Sequence, residues 1–510
     1  MPANQHPLLY EINTMTLLNR LSKETGQEVR LKNIPNRIWT DLRKKGVDYV
    51  WMMGMWQRSE ASRQVALTLP ELRTEYSRML GQWTKEDVPG SPYAVRCYEP
   101  DGRFGTMSDL KNLKKTLHEA GLKLILDFVP NHTGLDHPWV QFYPDRFFKI
   151  SSEQLNSFKK EEFSNTSPGV FIAHGRDPYF PPWTDTLQLN YTAKETREAM
   201  IDVILTIAPY CDGLRCDMAM LLINRVFQST WKGFWDGKSM PDGEFWTKAI
   251  KRVKKKFPDF IFIAEAYWDL EWKLQQMGFD YTYDKKLYDR LFHSGADDVR
   301  GHLGADQTYQ NKSIRFIENH DEPRALAAMP PEHARAAAVI AMTVPGMMLV
   351  FDGQFEGKKI RIPVQLGREP FEPVDQTSSA FYNALLEFIN DEILDSGQWQ
   401  LLEVKSAGAQ NESFHNLLAW MWTLGNRRKI IVVNFAAVES QARIAMPSLS
   451  TNAATIHLND HMTQQTYDRN VNEIRREGLF VSLNPWGAHW FSCDTGKNSS
   501  APIIKALSIK

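Results

Sequence analysis

The segment Gly213-Leu214-Arg215-Cys216-Asp217 predicts a short β-strand that ends in a pair of opposite charges. Alternate residues of a strand share a face, so Arg215 and Asp217 point together with Gly213, and the two apolar residues point away. A fixed guanidinium favours an ionised, oriented carboxylate. Taken alone, the pair could also be a buried ion pair that only closes a core. Polar residues at the carboxyl end of a buried strand are typical of a (β/α)8 barrel active site.

Three further segments repeat this pattern of an apolar run followed by acids, amides or imidazoles. They are Asp127-Phe-Val-Pro-Asn131-His132, Ala264-Glu265-Ala266 and Glu318-Asn319-His320-Asp321. Burial at the end of an apolar run should raise the pKa of Glu265, which is what a general acid requires. Together with Asp217 and Asp321, it forms a set of three carboxylates suited to chemistry on a glycosidic bond.

The chain outside these segments predicts an α/β fold. Strand-like runs alternate with amphipathic helical stretches, which favours a closed parallel barrel, a (β/α)8 TIM barrel. The eight candidate strands are residues 9–13, 48–53, 123–128, 213–217, 260–265, 279–283, 313–317 and 347–351. The connections at 56–105 and 133–191 are too long for simple turns, and long loops in compact domains usually carry function. The second is rich in aromatic residues, so we expect a short ordered excursion after the third strand that roofs the site.

The pattern changes after about residue 397, where short strands are predicted at 417–424, 429–435, 441–445 and 488–493. These strands predict an antiparallel β-sandwich. We therefore assign residues 1–132 and 192–396 to the barrel, 133–191 to the inserted excursion and 397–510 to the sandwich. We expect the sandwich to brace the barrel rather than to bind sugar.

Composition excludes several classes of partner. The formal net charge is −1, which gives no electrostatic case for nucleic acid or for an anionic membrane. No apolar run reaches 18 residues and the first residues lack a secretory pattern, so we expect a cytoplasmic protein with a neutral substrate. No H-E-x-x-H, paired-cysteine or glycine-rich phosphate motif is present, so we predict no metal site and no nucleotide.

In this order, the four polar segments resemble the four signature regions of the α-amylase family, glycoside hydrolase family 13. Ser91-Pro-Tyr93 and Asn484-Pro-Trp486-Gly are similar to further segments of that family. The resemblance implies a retaining mechanism with Asp217 as nucleophile, Glu265 as acid and base, and Asp321 as stabiliser of the transition state. It also implies a sugar-binding set made of Tyr93, Asp127, His132, Arg215 and His320. Retention predicts carboxyl groups of Asp217 and Glu265 about 5–6 Å apart.

The sequence departs from the family pattern at several positions. Met220 and Leu221 replace a Lys-His pair of many endo-acting amylases, which puts cleavage inside long polymers in doubt and hints at an apolar acceptor side. Cys97 replaces an aspartate of many members. We expect no required cofactor; calcium remains an alternative that no clear ligand cluster supports, since Asn131 alone cannot supply about six to eight oxygen ligands.

The leading interpretation is an α-glucoside hydrolase acting on maltooligosaccharides, starch or glycogen. A transglycosylase, whether α-glucanotransferase or sucrose-type, would use the same residues, because a sugar hydroxyl would only replace water. A third interpretation is a non-catalytic barrel kept as a scaffold. The presence of all three carboxylates argues against it, since the site and not the fold decides function.

Overall fold

The computed structural model describes residues 6–232, 240–447 and 453–495. Eight parallel strands close into a barrel in which each strand pairs with its neighbours in chain order and the last pairs with the first. These strands are β1 (Leu8–Asn13), β2 (Tyr49–Met53), β3 (Lys123–Phe128), β4 (Gly213–Cys216), β5 (Ile261–Ala264), β6 (Tyr281–Tyr283), β7 (Ser313–Arg315) and β8 (Met347–Phe351). The predicted α/β barrel is confirmed, and each of the eight candidate strands overlaps one strand of it.

The described residues form 19 helices. Their bounds are α1 (Thr14–Thr25), α2 (Asn36–Lys44), α3 (Glu60–Thr68), α4 (Pro70–Leu80), α5 (Met107–Glu119), α6 (Pro138–Phe142), α7 (Ser152–Leu155), α8 (Lys194–Ile207), α9 (Asn224–Thr230), α10 (Phe245–Lys256), α11 (Glu271–Gln276), α12 (Lys285–His293), α13 (Ala296–Leu303), α14 (Gln307–Asn311), α15 (Ala325–Ala328), α16 (Pro331–Thr343), α17 (Gln376–Ile389), α18 (Glu392–Ser396) and α19 (Val471–Glu477). Those between the barrel strands cover the outward-facing apolar side chains of the barrel, while α3, α4, α6 and α7 belong to insertions and α19 to the C-terminal part. In the described part of the chain, none of these helices is long and apolar enough to cross a membrane.

Strand register places the polar segments at one level of the barrel. Arg215 of β4 lies opposite Asp127 of β3, and Cys216 lies opposite Ala264 of β5. Asp217 and Glu265 each follow the last residue of their strand directly. Because parallel strands end at the same rim, this register brings both carboxylates to the mouth of the barrel.

Two insertions rise above this rim. The first, after β2, contains α3, α4 and the antiparallel pair Trp56–Arg58 and Val95–Pro100. The second, after β3, pairs His132–Gly134 with Thr186–Gln188 and carries a small sheet of Lys149–Ser151, Phe163–Ser167 and Val170–Ala173. The short excursion predicted after the third strand is therefore an ordered part of the fold.

The C-terminal part forms two antiparallel sheets. Its strands are β9 (Gln398–Leu401), β10 (Val404–Lys405), β11 (Leu417–Leu424), β12 (Arg427–Asn434), β13 (Ser440–Ile444), β14 (Thr455–Asp460), β15 (Gln465–Asn470), β16 (Leu479–Leu483) and β17 (Ala488–Asp494). The sheet β9-β11-β12-β17-β14-β15 faces the sheet β10-β13-β16 across an apolar core. The predicted antiparallel sandwich is present. Residues 448–452 and 496–510 of the assigned range lie outside the described residues, and the boundaries assigned from sequence stay predictions.

Candidate active site

The polar segments converge on a cleft of about 550 Å³ at the carboxyl end of the barrel. Its lining includes five of the predicted site residues: Tyr93, His132, Asp217, Glu265 and Asp321. The three others, Asp127, Arg215 and His320, are buried and do not appear among the described residues that line the cleft. The structure therefore brings the predicted set together as an inner layer that contacts the cleft and an outer layer that supports it.

Arg215 lies at the centre of the supporting layer and is completely buried. Its Nη1 atom is 2.7 Å from Oδ1 of Asp217, and its Nη2 atom is 3.0 Å from Oε2 of Glu265. The guanidinium also lies over the rings of Trp51 and Tyr93, which leaves it in a partly aromatic cage. One rigid planar cation thus holds both carboxylates in fixed positions relative to each other.

Glu265 accepts hydrogen bonds on both of its oxygen atoms. The backbone N–H of Met218 donates to Oε2 at 2.5 Å, and the hydroxyl of Tyr267 donates to Oε1 at 2.8 Å. Burial raises the pKa of Glu265 to about 7, while Arg215 opposes the rise and Asp217 adds to it. At neutral pH a large fraction of Glu265 therefore carries the proton that acid catalysis needs.

Asp217 behaves differently from the simplest expectation for an Arg-Asp pair. Burial raises the pKa of Asp217 above its ordinary value, although Arg215 at 2.7 Å pulls it down. The loss of water around the carboxyl outweighs the attraction to the guanidinium. The pair nevertheless keeps Asp217 oriented, with its carboxyl group on the cleft.

Asp321, His320 and Glu11 form a chain from the cleft into the barrel. His320 contacts Oε1 of Glu11 through Nδ1, and its Nε2 atom lies 3.0 Å from Oδ2 of Asp321. Partial burial raises the pKa of Asp321, but the charge and hydrogen bond of His320, together with the charges of Arg215 and Arg361, outweigh burial and lower the pKa to about 2. The pKa of His320 is correspondingly raised well above its usual value by its two carboxylate partners, against the effect of burial. Asp321 is therefore a permanent negative charge at the cleft.

Tyr93 and His132 present flat rings at the cleft. The Tyr93 ring lies nearly parallel to that of His320, and its hydroxyl is 2.8 Å from Nε2 of His320. The His132 ring packs against Trp183. Burial lowers the pKa of His132 to about 4, so its imidazole is neutral and can both donate and accept hydrogen bonds. Aromatic faces beside hydrogen-bonding groups suit a sugar ring, which has apolar faces and a polar edge.

Asp127 is buried in the barrel next to the cleft, where it binds neighbouring groups of the protein. Its carboxylate accepts from the Trp51 indole at 3.1 Å and from the Gly54 backbone N–H at 2.7 Å. Burial raises the pKa of Asp127 to about 6. Its oxygen atoms thus bind Trp51 and the backbone directly after β2. The Asp127 side chain therefore stabilises the chain near the cleft and does not itself line the described cleft.

Met220 and Leu221, which hinted at an apolar acceptor side, are not among the described residues that line the cleft. Both side chains are buried in the 3-10 turn Ala219–Leu222, where they pack into the core behind the cleft. Met218, the residue directly after Asp217, lines the cleft instead, with a positive φ of 43° that aims its N–H at Glu265. Cys97 lies on the strand Val95–Pro100 with its thiol against Gln57, outside the cleft lining that is described.

Several contributors to the site were missed by sequence reasoning. Glu11 had a signal, because a lone charge inside the apolar run of β1 needs a buried partner. Tyr267 also had one, since it follows Glu265 by two residues. The cleft-lining residues of the first insertion, Val65, Ala66, Leu69 and Leu72, carried no signal, because their helices are ordinary amphipathic helices.

The residues of the excursion do not fit a calcium ion. The side chain of Asn131 exchanges hydrogen bonds with Gln188, since Nε2 of Gln188 donates to its Oδ1 at 3.1 Å and its own amide donates to Gln188 at 3.2 Å. Within the described ranges, no group of three or more His, Cys, Asp or Glu side chains is placed to hold a metal. We therefore derive no catalytic step from a metal.

Comparison with known proteins points to one family. The catalytic-domain profile described as "Alpha amylase, catalytic domain" matches residues 91–400. Alpha-amylase MalA of Haloarcula japonica is 24% identical over 354 residues, which cover 67% of this chain and 47% of that protein. Alpha-amylase 3 of Dictyoglomus thermophilum is 25% identical over 56% of this chain and 57% of its own length. The chain thus spans about half the length of these curated relatives. The maltogenic α-amylase AmyB of Thermotoga neapolitana has the same fold, with a TM-score of 0.67, 19% identity and coverage of 96% of this chain and 98% of its own.

Proposed function

Because the chain belongs to the α-amylase family of glycoside hydrolases, we propose that it hydrolyses α-glucosidic bonds of maltooligosaccharides, starch or glycogen with retention of configuration. The observation that carries this proposal is the bridging of Asp217 and Glu265 by the single guanidinium of Arg215. The two carboxyl groups face one cleft, and burial raises the pKa of Glu265 to about 7, as an acid catalyst needs. A separation of about 5–6 Å between them stays our prediction for retention.

In the first step, an oxygen of Asp217 attacks the anomeric carbon of the bound sugar. The bond between that carbon and the glycosidic oxygen breaks, and the proton of Glu265 moves to the departing oxygen. The products are a covalent glycosyl ester on Asp217 and a free sugar whose new hydroxyl group carries the proton from Glu265. Asp321 stabilises the positive charge that develops on the ring, because its own negative charge is fixed by His320.

In the second step, Glu265 acts as a base. It removes a proton from water, the oxygen of that water attacks the anomeric carbon, and the ester bond to Asp217 breaks. Glu265 is then protonated again and Asp217 is ionised again, so the cycle closes. Two inversions give net retention of the α configuration.

Transfer to a sugar is the second candidate. Tyr267 lines the cleft beside Glu265, where a departing sugar leaves and an acceptor sugar would enter. An aromatic ring there favours binding of a sugar over free water. Chromatography of the products from maltooligosaccharides distinguishes the two activities, because transfer yields chains longer than the substrate.

Two substitutions test the assignment of roles. Asp217→Asn should lower kcat by at least about 10³-fold on both 4-nitrophenyl α-glucoside and maltotriose, because it removes the nucleophile. Glu265→Gln should lower kcat on maltotriose by about 10²–10⁴-fold, but much less in the first step on the nitrophenyl glucoside, whose leaving group needs no proton.

The control is Asp269→Asn, a change at an exposed carboxylate that pairs with Lys286 outside the described cleft lining. It should keep wild-type rates. NMR of the first product should give the α-anomer. First formation of the β-anomer would exclude retention, and unchanged turnover in Asp217→Asn would support the scaffold interpretation.

A further inference from the structure

We propose that the cleft is closed at the end that receives the non-reducing sugar, so that the enzyme removes terminal units and does not cleave inside a chain. This inference rests on the function proposed above. It concerns the first insertion, whose helices α3 and α4 form one side of the cleft. We call the cleft-lining side chains of these helices and their junction, Val65, Ala66, Leu69 and Leu72, the rim wall.

The position of Glu265 fixes the direction of the substrate. A general acid lies beside the oxygen that leaves, so the departing part of the substrate lies on the side of β5. In a ring of eight strands in chain order, β5 lies across the barrel from β1. The retained sugar therefore extends toward β8, β1 and β2, and Tyr93, in the insertion after β2, lines the cleft on this side.

The rim wall lies on this same side of the barrel. It belongs to the insertion after β2, and the neighbouring cleft residue Gln365 belongs to the segment after β8. Ser91, from the end of the first insertion, completes this side. The segments that follow β2 and β8, the two strands next to β1, thus meet at this side of the cleft. A further sugar at the non-reducing end would have to pass between them.

Hydrogen bonds and ion pairs fasten the first insertion to its neighbours. The hydroxyl of Ser62 donates to the carbonyl of Asp185 in the excursion at 2.6 Å. On the other side, the backbone N–H of Gly367 donates to the carbonyl of Asp87 at 2.8 Å, and Arg368 forms an ion pair with the Asp87 carboxylate. Because the insertion is attached to both flanking segments, its position is fixed and does not depend on closure of a lid.

Arg361 connects this closed side to the catalytic residues. One of its terminal nitrogens lies 3.2 Å from Oε1 of Glu75 on α4, and the other donates to the backbone carbonyl of Asp321 at 2.8 Å. Under α3 and α4, the side chains of Ala66, Tyr76, Val88 and Leu366 form a small buried apolar cluster. The wall therefore has its own core as well as a direct contact to the loop that carries Asp321.

The chemistry of the wall fits a terminal sugar better than an internal one. Val65, Leu69 and Leu72 are apolar and partly exposed, so they can contact the C–H groups of one ring, whereas Ala66 is buried. These side chains offer no hydrogen bonds, so the hydroxyl groups of a second ring that faced them would be buried without partners there. Beside the wall, the polar groups of the described cleft lining are those of Ser91 and Gln365. Apolar contact at this end therefore stops the chain after the sugar that reacts.

The test compares maltoheptaose carrying a reducing-end 4-nitrophenyl group with the same compound blocked by an ethylidene acetal on O4 and O6 of its non-reducing sugar. Consumption of each heptaoside is followed by chromatography. We expect the blocked compound to be consumed at least about 100-fold more slowly, and glucose to be the first product of the unblocked compound. Equal consumption, or internal fragments as first products, would overturn the inference and leave the hydrolase intact.

Variants of the wall link the result to these residues. Leu69→Ala opens the wall and should raise the ratio of blocked to unblocked consumption at least about fivefold. Leu67→Ala truncates a neighbouring side chain that packs against the buried cluster and does not line the cleft, and it should leave the ratio unchanged. If neither heptaoside is consumed and 4-nitrophenyl α-glucoside is also stable, the proposed function itself fails; an unchanged ratio in Leu69→Ala would contradict the role of the wall.

Discussion

At the scale of the residue, the two oxygen atoms of Glu265 have different environments. Oε2 receives the Met218 N–H and lies 3.0 Å from Arg215, so a proton is disfavoured there. Oε1 contacts only the hydroxyl of Tyr267 among the hydrogen bonds described. Under the proposed mechanism, the proton that Glu265 donates resides on Oε1, and the glycosidic oxygen approaches from the side of Tyr267.

Substitution of Tyr267 by Phe should shift the pH dependence of kcat/KM. The proposed mechanism requires ionised Asp217 and protonated Glu265, so it predicts a bell-shaped profile whose alkaline limb follows the pKa of Glu265, about 7. The Tyr267 hydroxyl donates to the carboxylate and favours its charged form. Its removal should raise that pKa and move the alkaline limb upward by about 0.5–1 unit. Tyr143→Phe, at an exposed ring outside the described cleft lining, should leave the limb in place; a downward shift in Tyr267→Phe would contradict the assignment.

The sequence could predict which polar residues lie near the cleft, because a residue that follows a strand of the barrel lies at its carboxyl end. The location of Asp217 and Glu265 at the cleft was predictable because each directly follows an apolar strand. The parallel register of the two strands then places both residues at the same end of the barrel. Asp127 ends the same kind of strand, yet its carboxylate is taken up by Trp51 and Gly54, 76 and 73 residues away in the chain. Which polar residue contacts substrate and which supports it depends on such distant partners, and no local pattern contains them.

At the scale of the element, β4 can lie this close to β5 only because its first residue, Gly213, has no side chain. A Cβ atom on Gly213 would lie 2.4 Å from Cγ1 of Ile261 and 2.6 Å from the carbonyl oxygen of Ile261. Both belong to β5, the strand that leads to Glu265. The distance between β4 and β5, and with it the relative position of the two catalytic carboxylates, is thus limited by this glycine.

Gly213→Ala should therefore destabilise the protein and disturb catalysis together. Overpacking against backbone that cannot move costs about 1–3 kcal/mol of unfolding free energy, measurable as a lower urea midpoint by tryptophan fluorescence. Displacement of β5 should also reduce kcat at temperatures where the variant is folded. Gly408→Ala is the matched control, because a Cβ there meets no atom within 4 Å. Equal urea midpoints for the two variants would contradict the prediction, because they would mean that β4 and β5 can move apart to accommodate the Cβ atom without loss of stability.

The strands were predictable where the alternation of apolar and polar residues, together with turn residues, marks their ends. The run 417–424 was predicted with the bounds that the structure has, Leu417–Leu424, because it is bounded by a hairpin at Gly425, whose φ is 57°. The candidate at 279–283 shortens to Tyr281–Tyr283, since Phe279 packs into the outer core before the strand begins. The path of α3 and α4 over the cleft was not predictable, because it depends on partners such as Asp185 and Gly367 in other insertions.

At the scale of the whole molecule, barrel and sandwich share one apolar core. Trp420, Trp422 and Trp490 of the larger sheet belong to the same buried cluster as α16 and α17 of the barrel. The Trp422 indole donates to the carbonyl of Thr343, the last residue of α16, at 2.7 Å. Arg300 of α13 also donates to the carbonyl of Leu417 at 2.7 Å. These contacts support a bracing role for the sandwich and lead us to expect that the two parts unfold together.

Trp422→Ala tests this coupling. Loss of a fully buried indole should cost about 3–5 kcal/mol of unfolding free energy. Because the side chain joins both parts, the urea midpoint for loss of activity, which reports on the barrel, should fall by the same amount as the midpoint from far-UV circular dichroism of the whole chain. The control is Phe480→Ala, which alters a partly exposed ring on β16, in the smaller sheet of the sandwich. It should change the free energy of unfolding calculated from either midpoint by no more than about 0.5 kcal/mol. If Trp422→Ala instead splits the transition, with activity lost at a different urea concentration from secondary structure, the sandwich folds as an independent unit and the shared core does not couple it to catalysis.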